Sequence, residues 1–139
     1  MILPVISIIL PTYNQDKYIK HCLDSIKIPE GLSYEILIYN DGGNLKRFKN
    51  EIKSYLNKKN IKIFNSKKNR GIAFALNFLI RKSKGIYILR IDADDLFFKN
   101  RIKNQINFIS EKKLYSIASG SYILIDKNND ILKTSKKYF

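Results

Sequence analysis

Three carboxylates stand within four positions of one another in the segment LRIDADDLF, residues 89–97. They are Asp92, Asp94 and Asp95, and they follow a run of apolar residues in a chain that has 12 acidic and 26 basic residues. Two unit charges about 4 Å apart repel by about 4 kcal/mol at the effective dielectric constant of a protein surface. Acids that are this scarce and this close together predict a bound cation.

The spacing of this acidic cluster favours a hard divalent cation. In an extended chain Asp92 and Asp94 point to the same side, because side chains alternate between the two faces. Two carboxylates without Cys or His suit Mg²⁺ or Mn²⁺, which usually complete their coordination with water and substrate phosphate. The alternative is a loop in which Asp94 or Asp95 caps the next helix. A position at a strand end favours the metal, and Asp95 is the best candidate for a cap or a supporting group.

The apolar pattern around the cluster predicts strands and helices in alternation. We expect a short buried strand at residues 5–10 and further strands at residues 34–40, 61–65 and 86–91. Helical spacing predicts helices at residues 16–27, from Leu45 to Leu56, at residues 72–82 and around Ile102 to Ile109, with Asn14 or Asp16 as the first cap. A hairpin follows, with its turn at residues 127–129. Strand–helix alternation of this kind is typical of a parallel α/β sheet.

Each predicted strand is followed by a polar cluster: PTYN, NDGG, NSKKNRG and DADD. Parallel strands bind ligands at their carboxyl ends, so all four clusters are expected on one rim. There Tyr13 could stack on a base, Asp41 could accept hydrogen bonds from a base or ribose, and Arg70 could meet an anion at a helix start. Each also has a purely structural explanation, as packing, turn and solvated charge respectively. Their shared rim favours a nucleotide site.

Composition narrows the class of protein without identifying it. The 139 residues suit one domain, 45% of them are hydrophobic, and the single cysteine, Cys22, excludes an internal disulfide. The opening MILPVISIIL lacks a basic start and contains Pro4, so we expect neither a signal peptide nor a membrane span, and a cytoplasmic location. The net charge of +14 supports anionic partners in general and identifies none, because we interpret the basic residues as dispersed over solvated faces.

Five segments in order resemble the donor-binding half of the family 2 glycosyltransferases, which have the GT-A fold. They are SIILPTYN, EILIYNDGG, NRGIAFALN, IDADD and RIKNQINFI, and the resemblance runs from about residue 5 to about residue 125. It implies a Rossmann-like GT-A domain with a mostly parallel central sheet flanked by helices. The chain departs from the family pattern at Asn40, where paired acids are common, at DGG in place of DGS, and at Lys99 in place of proline.

The resemblance also implies a donor site for a nucleotide-diphospho-sugar, usually UDP- or dTDP-linked. By similarity, Tyr13 would stack on the base, and Asp41 and Arg70 would contact it. Asp92 would reach the ribose, and Asp94 would bind the Mn²⁺ or Mg²⁺ that bridges the diphosphate. The substrate-binding residues implied in this way are Pro11, Tyr13, Asp41, Arg70 and Asp92. Such a cation would stabilise the charge on the departing diphosphate.

The family further implies a glycan or lipid-linked acceptor, a role in cell-surface polysaccharide synthesis, peripheral association with the inner membrane face, and no nucleic acid. In the family the catalytic base lies in an acceptor-binding segment downstream of these motifs. The remaining acids, Glu111, Asp126 and Asp130, are expected to be surface residues, so the base is unassigned. We therefore expect residues 1–139 to form a single donor-binding domain, truncated before the acceptor-binding segment and inactive alone. His21 and Cys22 are adjacent on a helix and are interpreted as structural.

Two other functions remain open at this point. The first is a metal-dependent nucleotidyltransferase-like enzyme, which usually has a glycine-rich loop after the first strand, whereas PTYNQDKY has no glycine. The second is a non-catalytic, basic nucleotide- or anion-binding module. That function requires a clustered patch of Lys and Arg with aromatic residues, whereas the basic residues are expected to be dispersed.

Overall fold

The computed structural model describes residues 5–111 and 117–135, which belong to two compact units, Met1–Lys99 and Asn100–Phe139. In the first unit, strands and helices alternate as predicted. Its elements are β1 (Ile6–Thr12), α1 (Asp16–Ser25), β2 (Tyr34–Asp41), α2 (Leu45–Glu51), a 3₁₀ helix (Lys53–Tyr55), β3 (Ile61–Ser66), α3 (Ile72–Lys82) and β4 (Tyr87–Arg90).

The four strands of this unit form one parallel sheet in the order β3-β2-β1-β4. In the register, Thr12 of β1 lies opposite Asn40, and Asp41 of β2 lies opposite Ser66. The predicted α/β class with a parallel central sheet is confirmed. Because all strands run the same way, the loops that follow them emerge at the same edge of the sheet.

The core forms where α3 covers one face of the sheet. Ile9, Leu37 and Tyr39 pack there against Ala75 and Leu79 of the helix, and all five are buried. An aromatic cluster extends this core, and its ring centroids lie 5.0 Å apart both for Phe64–Phe78 and for Tyr39–Phe78. Residues of β1 and β2 on the other face are buried as well. This burial on both faces explains why the two strands read as continuous apolar runs.

Some local predictions were wrong at helix ends. Helix α1 begins after Gln15, whose side chain makes no capping bond, so neither Asn14 nor Asp16 is the cap. Asn14 instead has φ 56° and turns the loop that follows β1. The helix predicted from Leu45 to Leu56 is divided, because Ile52 at φ −100° and ψ 19° ends α2 before the 3₁₀ helix begins.

The double glycine after β2 allows two loops to approach each other closely. Gly42 has φ 84°, and a Cβ placed there would collide with the backbone of Lys68 and Asn69 in the loop after β3. Gly43 is tight as well, because a Cβ there would lie 2.7 Å from Oδ1 of the Asn40 side chain. The segment DGG thus holds the ends of β2 and β3 together beneath the rim.

A buried carboxylate anchors the opposite, amino-terminal edge of the sheet. Oε1 of Glu35 accepts hydrogen bonds from Oγ of Ser7 and from the backbone N–H of Lys84, each at 2.8 Å. Its Oε2 accepts one from Nζ of Lys62 at 3.0 Å. Burial by itself raises the pKa of Glu35, but these three hydrogen bonds outweigh it and hold the pKa below the ordinary value. The loop that leads into β4 is therefore tied to β1 and β2.

The second unit contains a helix and a hairpin, as predicted. Helix α4 spans Arg101–Glu111, and β5 (Ile123–Ile125) pairs antiparallel with β6 (Ile131–Thr134). Oδ1 of Asp126 accepts the backbone N–H groups of Asn128 at 2.7 Å and Asp130 at 2.9 Å, which closes the turn. Glu111 and Asp130 are exposed, and Asp126 lies at the turn. These three acids therefore have the surface and turn positions that we expected.

Candidate functional site

A cleft of about 420 Å³ opens at the carboxyl-terminal edge of the sheet in the first unit. The end of β1 and its loop, the end of β2, the start of α3 and the acidic segment after β4 each contribute to its wall. The lining residues are Pro11, Thr12, Tyr13, Gln15, Asp41, Asn69, Gly71, Ile72, Ala75, Asp92, Ala93 and Asp94. Polar clusters that are up to 80 residues apart in sequence thus converge because parallel strands end at one edge.

Asp41 is a buried carboxylate held by the two backbone amides that directly precede α3. Its Oδ1 accepts the backbone N–H of Arg70 at 2.9 Å, and its Oδ2 accepts the N–H groups of Arg70 at 3.1 Å and Gly71 at 2.8 Å. The positive end of the helix dipole favours a carboxylate at this place. A carboxylate has about four acceptor positions, so Asp41 can still accept a hydrogen bond from a ligand in the cleft.

The Arg70 side chain has a different environment from its backbone. Its guanidinium carbon lies 3.5 Å from the ring centroid of Phe74, which is a cation–π contact. The guanidinium is absent from the cleft lining, although the Arg70 amide bonds Asp41 at the wall. In this conformation Arg70 contributes its backbone amide, and not its guanidinium, to the wall of the cleft.

The loop after β1 presents an aromatic ring at the cleft. Tyr13 lines the cleft and is 48% exposed, while the preceding Pro11 and Thr12 are buried as the last residues of β1. A half-exposed ring beside a cleft offers a face on which a planar base can stack.

The first acid of the DADD segment is paired with a cation of its own strand. Nε of Arg90 lies 3.1 Å from Oδ1 of Asp92, and Nη2 lies 2.9 Å from Oδ2, so the guanidinium binds both carboxylate oxygens. The Asp92 carbonyl accepts the backbone N–H of Asp95 at 3.0 Å, which turns the chain. Asp95 does not appear among the residues that line the cleft.

The second acid has a neutral partner. Asp94 is exposed at the cleft, and its Oδ2 accepts a hydrogen bond from Nε2 of Gln15 at 3.1 Å. The amide orients the carboxylate without compensating its charge. The two acids of the motif therefore differ, because Asp92 is paired with a positive guanidinium whereas Asp94 has a neutral amide as its partner.

This donor set fits a cation that is held only partly by protein. Across residues 5–111 and 117–135, no group of three or more Asp, Glu, His or Cys residues is arranged to hold a metal ion. Mg²⁺ and Mn²⁺ nevertheless bind through one or two carboxylates when water and phosphate oxygens complete the shell. Asp94 provides one such carboxylate, and the open cleft leaves space for the phosphates.

Cys22 lies behind the acidic segment, where its Sγ donates to the Asp92 carbonyl at 3.5 Å. Burial, and then the negative charges of Asp95, Asp94 and Asp92, raise the pKa of the Cys22 thiol to about 12. It is therefore a protonated thiol at neutral pH, which agrees with a structural role, and the neighbouring His21 is exposed on the helix.

Sequence reasoning placed six residues in the site: Pro11, Tyr13, Asp41, Arg70, Asp92 and Asp94. All of them except Arg70 line the cleft. It missed several other lining residues, some of which stand close to the predicted ones in the sequence. Gln15 stands two residues after Tyr13, and Asn69 and Gly71 flank Arg70. The residues that it missed were Thr12, Gln15, Asn69, Gly71, Ile72, Ala75 and Ala93.

Comparison with known proteins gives this geometry a context. The family model described as glycosyl transferase family 2 matches residues 7–138. An uncharacterized glycosyltransferase of Rickettsia bellii is 34% identical over 93% of this chain and 19% of its own length. The O-antigen biosynthesis glycosyltransferase WbnJ of Escherichia coli is 29% identical over 97% of this chain and 53% of its own length. The chain thus spans about a fifth to a half of the length of these relatives.

Solved structures share the fold. TarS 1–349 of S. aureus in complex with UDP-GlcNAc has a TM-score of 0.66 and 29% identity, over 76% of this chain and 31% of that one. The mannosyltransferase PcManGT of Pyrobaculum calidifontis, in complex with GDP-Man and Mn²⁺, has a TM-score of 0.67 over 93% of this chain and 38% of that one. Its identity is 19%, so that likeness concerns the fold alone.

Among the helices of residues 5–111 and 117–135, none has the length and hydrophobicity needed to cross a bilayer. The family match begins at the first residues of β1 and continues past the acidic segment into the hairpin, further than the resemblance that the motifs alone indicated. The chain belongs to glycosyl transferase family 2.

Proposed function

We propose that this chain is the donor-binding part of a glycosyltransferase that binds a UDP-sugar together with a divalent cation. The cleft supports this proposal because it combines a half-exposed ring, a buried carboxylate at a helix start and an acidic pair on one rim. TarS, which shares the fold at 29% identity, has been solved with UDP-GlcNAc. A uridine nucleotide is therefore the first donor to test.

Each polar group of the cleft has a distinct task in this proposal. Tyr13 stacks on the base, and Asp41, held in place by the amides of Arg70 and Gly71, accepts a hydrogen bond from it. Asp92 lies at the sugar of the nucleoside, and Asp94 holds the cation. The cation neutralises the charge that develops on the diphosphate as the sugar leaves. Arg70 contacts the base through its guanidinium, which packs on the Phe74 ring in this structure.

The observation that carries the metal assignment is the difference between the two acids. Arg90 occupies both oxygens of Asp92, while Asp94 has a neutral hydrogen-bond donor. A cation gains most where a carboxylate is exposed and its charge is not already compensated. Asp94 is therefore the metal ligand, and Mn²⁺ or Mg²⁺ suits its single hard oxygen donor. PcManGT, which shares the fold, has been solved in complex with GDP-Man and Mn²⁺.

We further propose that the whole protein transfers the sugar to an acceptor hydroxyl in cell-surface polysaccharide synthesis. WbnJ, which acts in O-antigen biosynthesis, supports this class of product. The base that activates the acceptor is not assigned to any residue of this chain. Donor binding is thus the activity to test on these 139 residues.

Calorimetric titration of UDP into the chain, with and without Mn²⁺, tests the donor site. We expect binding that requires the cation and that Asp94→Asn weakens by at least about tenfold. Asp130→Asn is the matched control, because this exposed acid of the hairpin carries the same charge. If UDP fails, dTDP and GDP follow under the same conditions. Failure of all three with a folded chain, or equal losses in both variants, would contradict the proposal.

A further inference from the structure

The positive charge is concentrated in one part of the first unit. Between Asp41 and Asp92 the chain has 14 Lys and Arg residues, and Glu51 is the single acid. All 14 basic side chains are exposed. The expectation that the basic residues are dispersed is therefore wrong, since this region has a formal charge of +13 within 50 residues.

Several of these lysines meet at the amino-terminal edge of the sheet, opposite the cleft. In a parallel sheet each crossover helix runs back toward the strand starts, so the end of α3 and the segment before β3 both lie at this edge. Glu35 links two of these lysines. Its carboxylate accepts hydrogen bonds from Lys62 Nζ at 3.0 Å and from the Lys84 backbone amide at 2.8 Å. We define the basal lysine cluster as Lys58, Lys59, Lys62, Lys82 and Lys84.

Other contacts tie the remaining members to the same edge. The Ile36 amide, next to Glu35, donates to the Asn60 carbonyl at 2.8 Å, which places Lys59 beside the start of β2. The ammonium of Lys82 lies 5.6 Å from the Phe78 ring, which packs on Phe64 of β3. The five lysines thus lie around the edge at which β2 and β3 begin.

Fewer acids than lysines lie toward this edge. Glu35 is buried at 5% exposure, and its hydrogen bonds with Lys62, Ser7 and Lys84 already satisfy it. The exposed acids on the connections that reach this edge are Glu30 before β2, Glu51 at the end of α2, and Asp24 of α1, which pairs with Lys20 at 2.6 Å. The acids from Asp92 to Asp95 belong instead to the rim at the opposite ends of the strands. The basal edge therefore keeps an excess of positive charge.

Exposed aliphatic side chains accompany the lysines. Ile86 directly precedes β4 and is 77% exposed. Leu56 stands two residues before Lys58 and is 38% exposed. Between residues 42 and 91 no aromatic side chain is among the exposed large hydrophobic residues. Binding sites for single-stranded nucleic acid depend on exposed aromatic rings for base stacking. Lysines with exposed aliphatic groups instead suit the headgroup region of an anionic bilayer.

We infer that the basal lysine cluster, with Leu56 and Ile86, binds the surface of an anionic phospholipid bilayer. Each lysine near such a surface strengthens binding roughly fivefold, and salt weakens this attraction because it screens charge. Leu56 and Ile86 add contact with the acyl boundary. The cleft lies at the other ends of the strands, so it remains open while the basal lysine cluster is bound to the bilayer. This inference is independent of the donor proposed above.

Co-sedimentation with phosphatidylcholine vesicles, with and without phosphatidylglycerol, tests the inference without any nucleotide. The test variant combines Lys58→Gln, Lys59→Gln, Lys82→Gln and Lys84→Gln. The control combines Lys17→Gln, Lys46→Gln, Lys49→Gln and Lys127→Gln, which remove the same charge from exposed residues outside the cluster. Thermal unfolding of both variants establishes that each is folded. Ile86→Ser separately tests the aliphatic contact at high salt.

We expect salt-sensitive binding to the phosphatidylglycerol vesicles only, a loss of roughly a hundredfold or more in the cluster variant, and little loss in the control. Ile86→Ser should lower the fraction that stays bound at high salt. Equal losses in the two lysine variants would overturn the inference, because net charge rather than the cluster would then decide binding. Absence of binding to anionic vesicles, or binding to a single-stranded oligonucleotide instead, would overturn it too.

Discussion

The Arg90 guanidinium binds both carboxylate oxygens of Asp92, with Nε 3.1 Å from Oδ1 and Nη2 2.9 Å from Oδ2. Two residues further along, Asp94 has only the neutral Gln15 amide as its hydrogen-bond donor within the described chain. A motif of two similar acids is thereby divided into one member that is paired with a cation and one that is paired with a neutral amide. This difference assigns separate roles to residues that the sequence alone presents as equivalent.

Removal of the Arg90 charge should make the acidic pair bind metal more tightly in the absence of nucleotide. In Arg90→Gln, Asp92 becomes a second uncompensated carboxylate, and a nearby positive charge disappears. We expect Mn²⁺ affinity, measured by electron paramagnetic resonance of the free ion, to rise about threefold to tenfold. Arg81→Gln, at an exposed arginine of α3, is the control. Unchanged Mn²⁺ affinity in Arg90→Gln would show that the ion pair does not restrain Asp92.

Loss of the Gln15 amide should have the opposite effect. Gln15→Ala removes the hydrogen bond that orients Asp94, so we expect Mn²⁺-dependent UDP affinity to fall up to about tenfold. The free energy of unfolding should stay the same, which separates orientation of Asp94 from general damage to the cleft. Lys17→Ala, an exposed substitution on α1, should change neither the affinity nor the stability. An unchanged Mn²⁺-dependent UDP affinity in Gln15→Ala would contradict the role of Gln15.

A methyl group at Gly42 should destabilise the fold strongly. Gly42 and Gly31 both have positive φ, at 84° and 76°, but a Cβ at Gly42 meets the Lys68–Asn69 backbone whereas nothing lies within 4 Å at Gly31. We expect Gly31→Ala to cost about 1 kcal/mol in free energy of unfolding, and Gly42→Ala about 2–4 kcal/mol. Urea unfolding measures both. Similar costs at the two positions would mean that conformation alone, and not the close approach, requires glycine.

The Glu35 network should make stability depend on pH in the acid range. Because the folded pKa of Glu35 is lowered, its contribution is present above its ordinary value of 4.5 and is lost as pH falls through the folded pKa. Glu35→Gln should lower the free energy of unfolding by about 1–3 kcal/mol at neutral pH. Its stability should also decline less steeply in acid than that of the original chain.

Glu30→Gln is the control for this pH dependence, because Glu30 is exposed. Urea titrations from neutral pH to below pH 4.5 should give Glu30→Gln the acid profile of the original chain. The network would be irrelevant to acid stability if Glu35→Gln followed that profile as well.

The sequence by itself determined the fold class and most of the site. Apolar runs and helical spacing depend on neighbouring residues, so four strands, three intervening helical segments and the hairpin were predictable to within a few residues. Parallel strands must end at one edge, and this rule placed Tyr13, Asp41, Asp92 and Asp94 on one cleft without knowledge of any contact.

Tertiary structure decided which partner each of these groups has. Gln15 reaches Asp94 across 79 positions of sequence, and the amides of Arg70 and Gly71 reach Asp41 across about 30. The concentration of lysines could have been counted, but their shared edge follows only from the direction of the helices. Such contacts depend on packing between segments that are far apart in the chain, and no local pattern of residues encodes them.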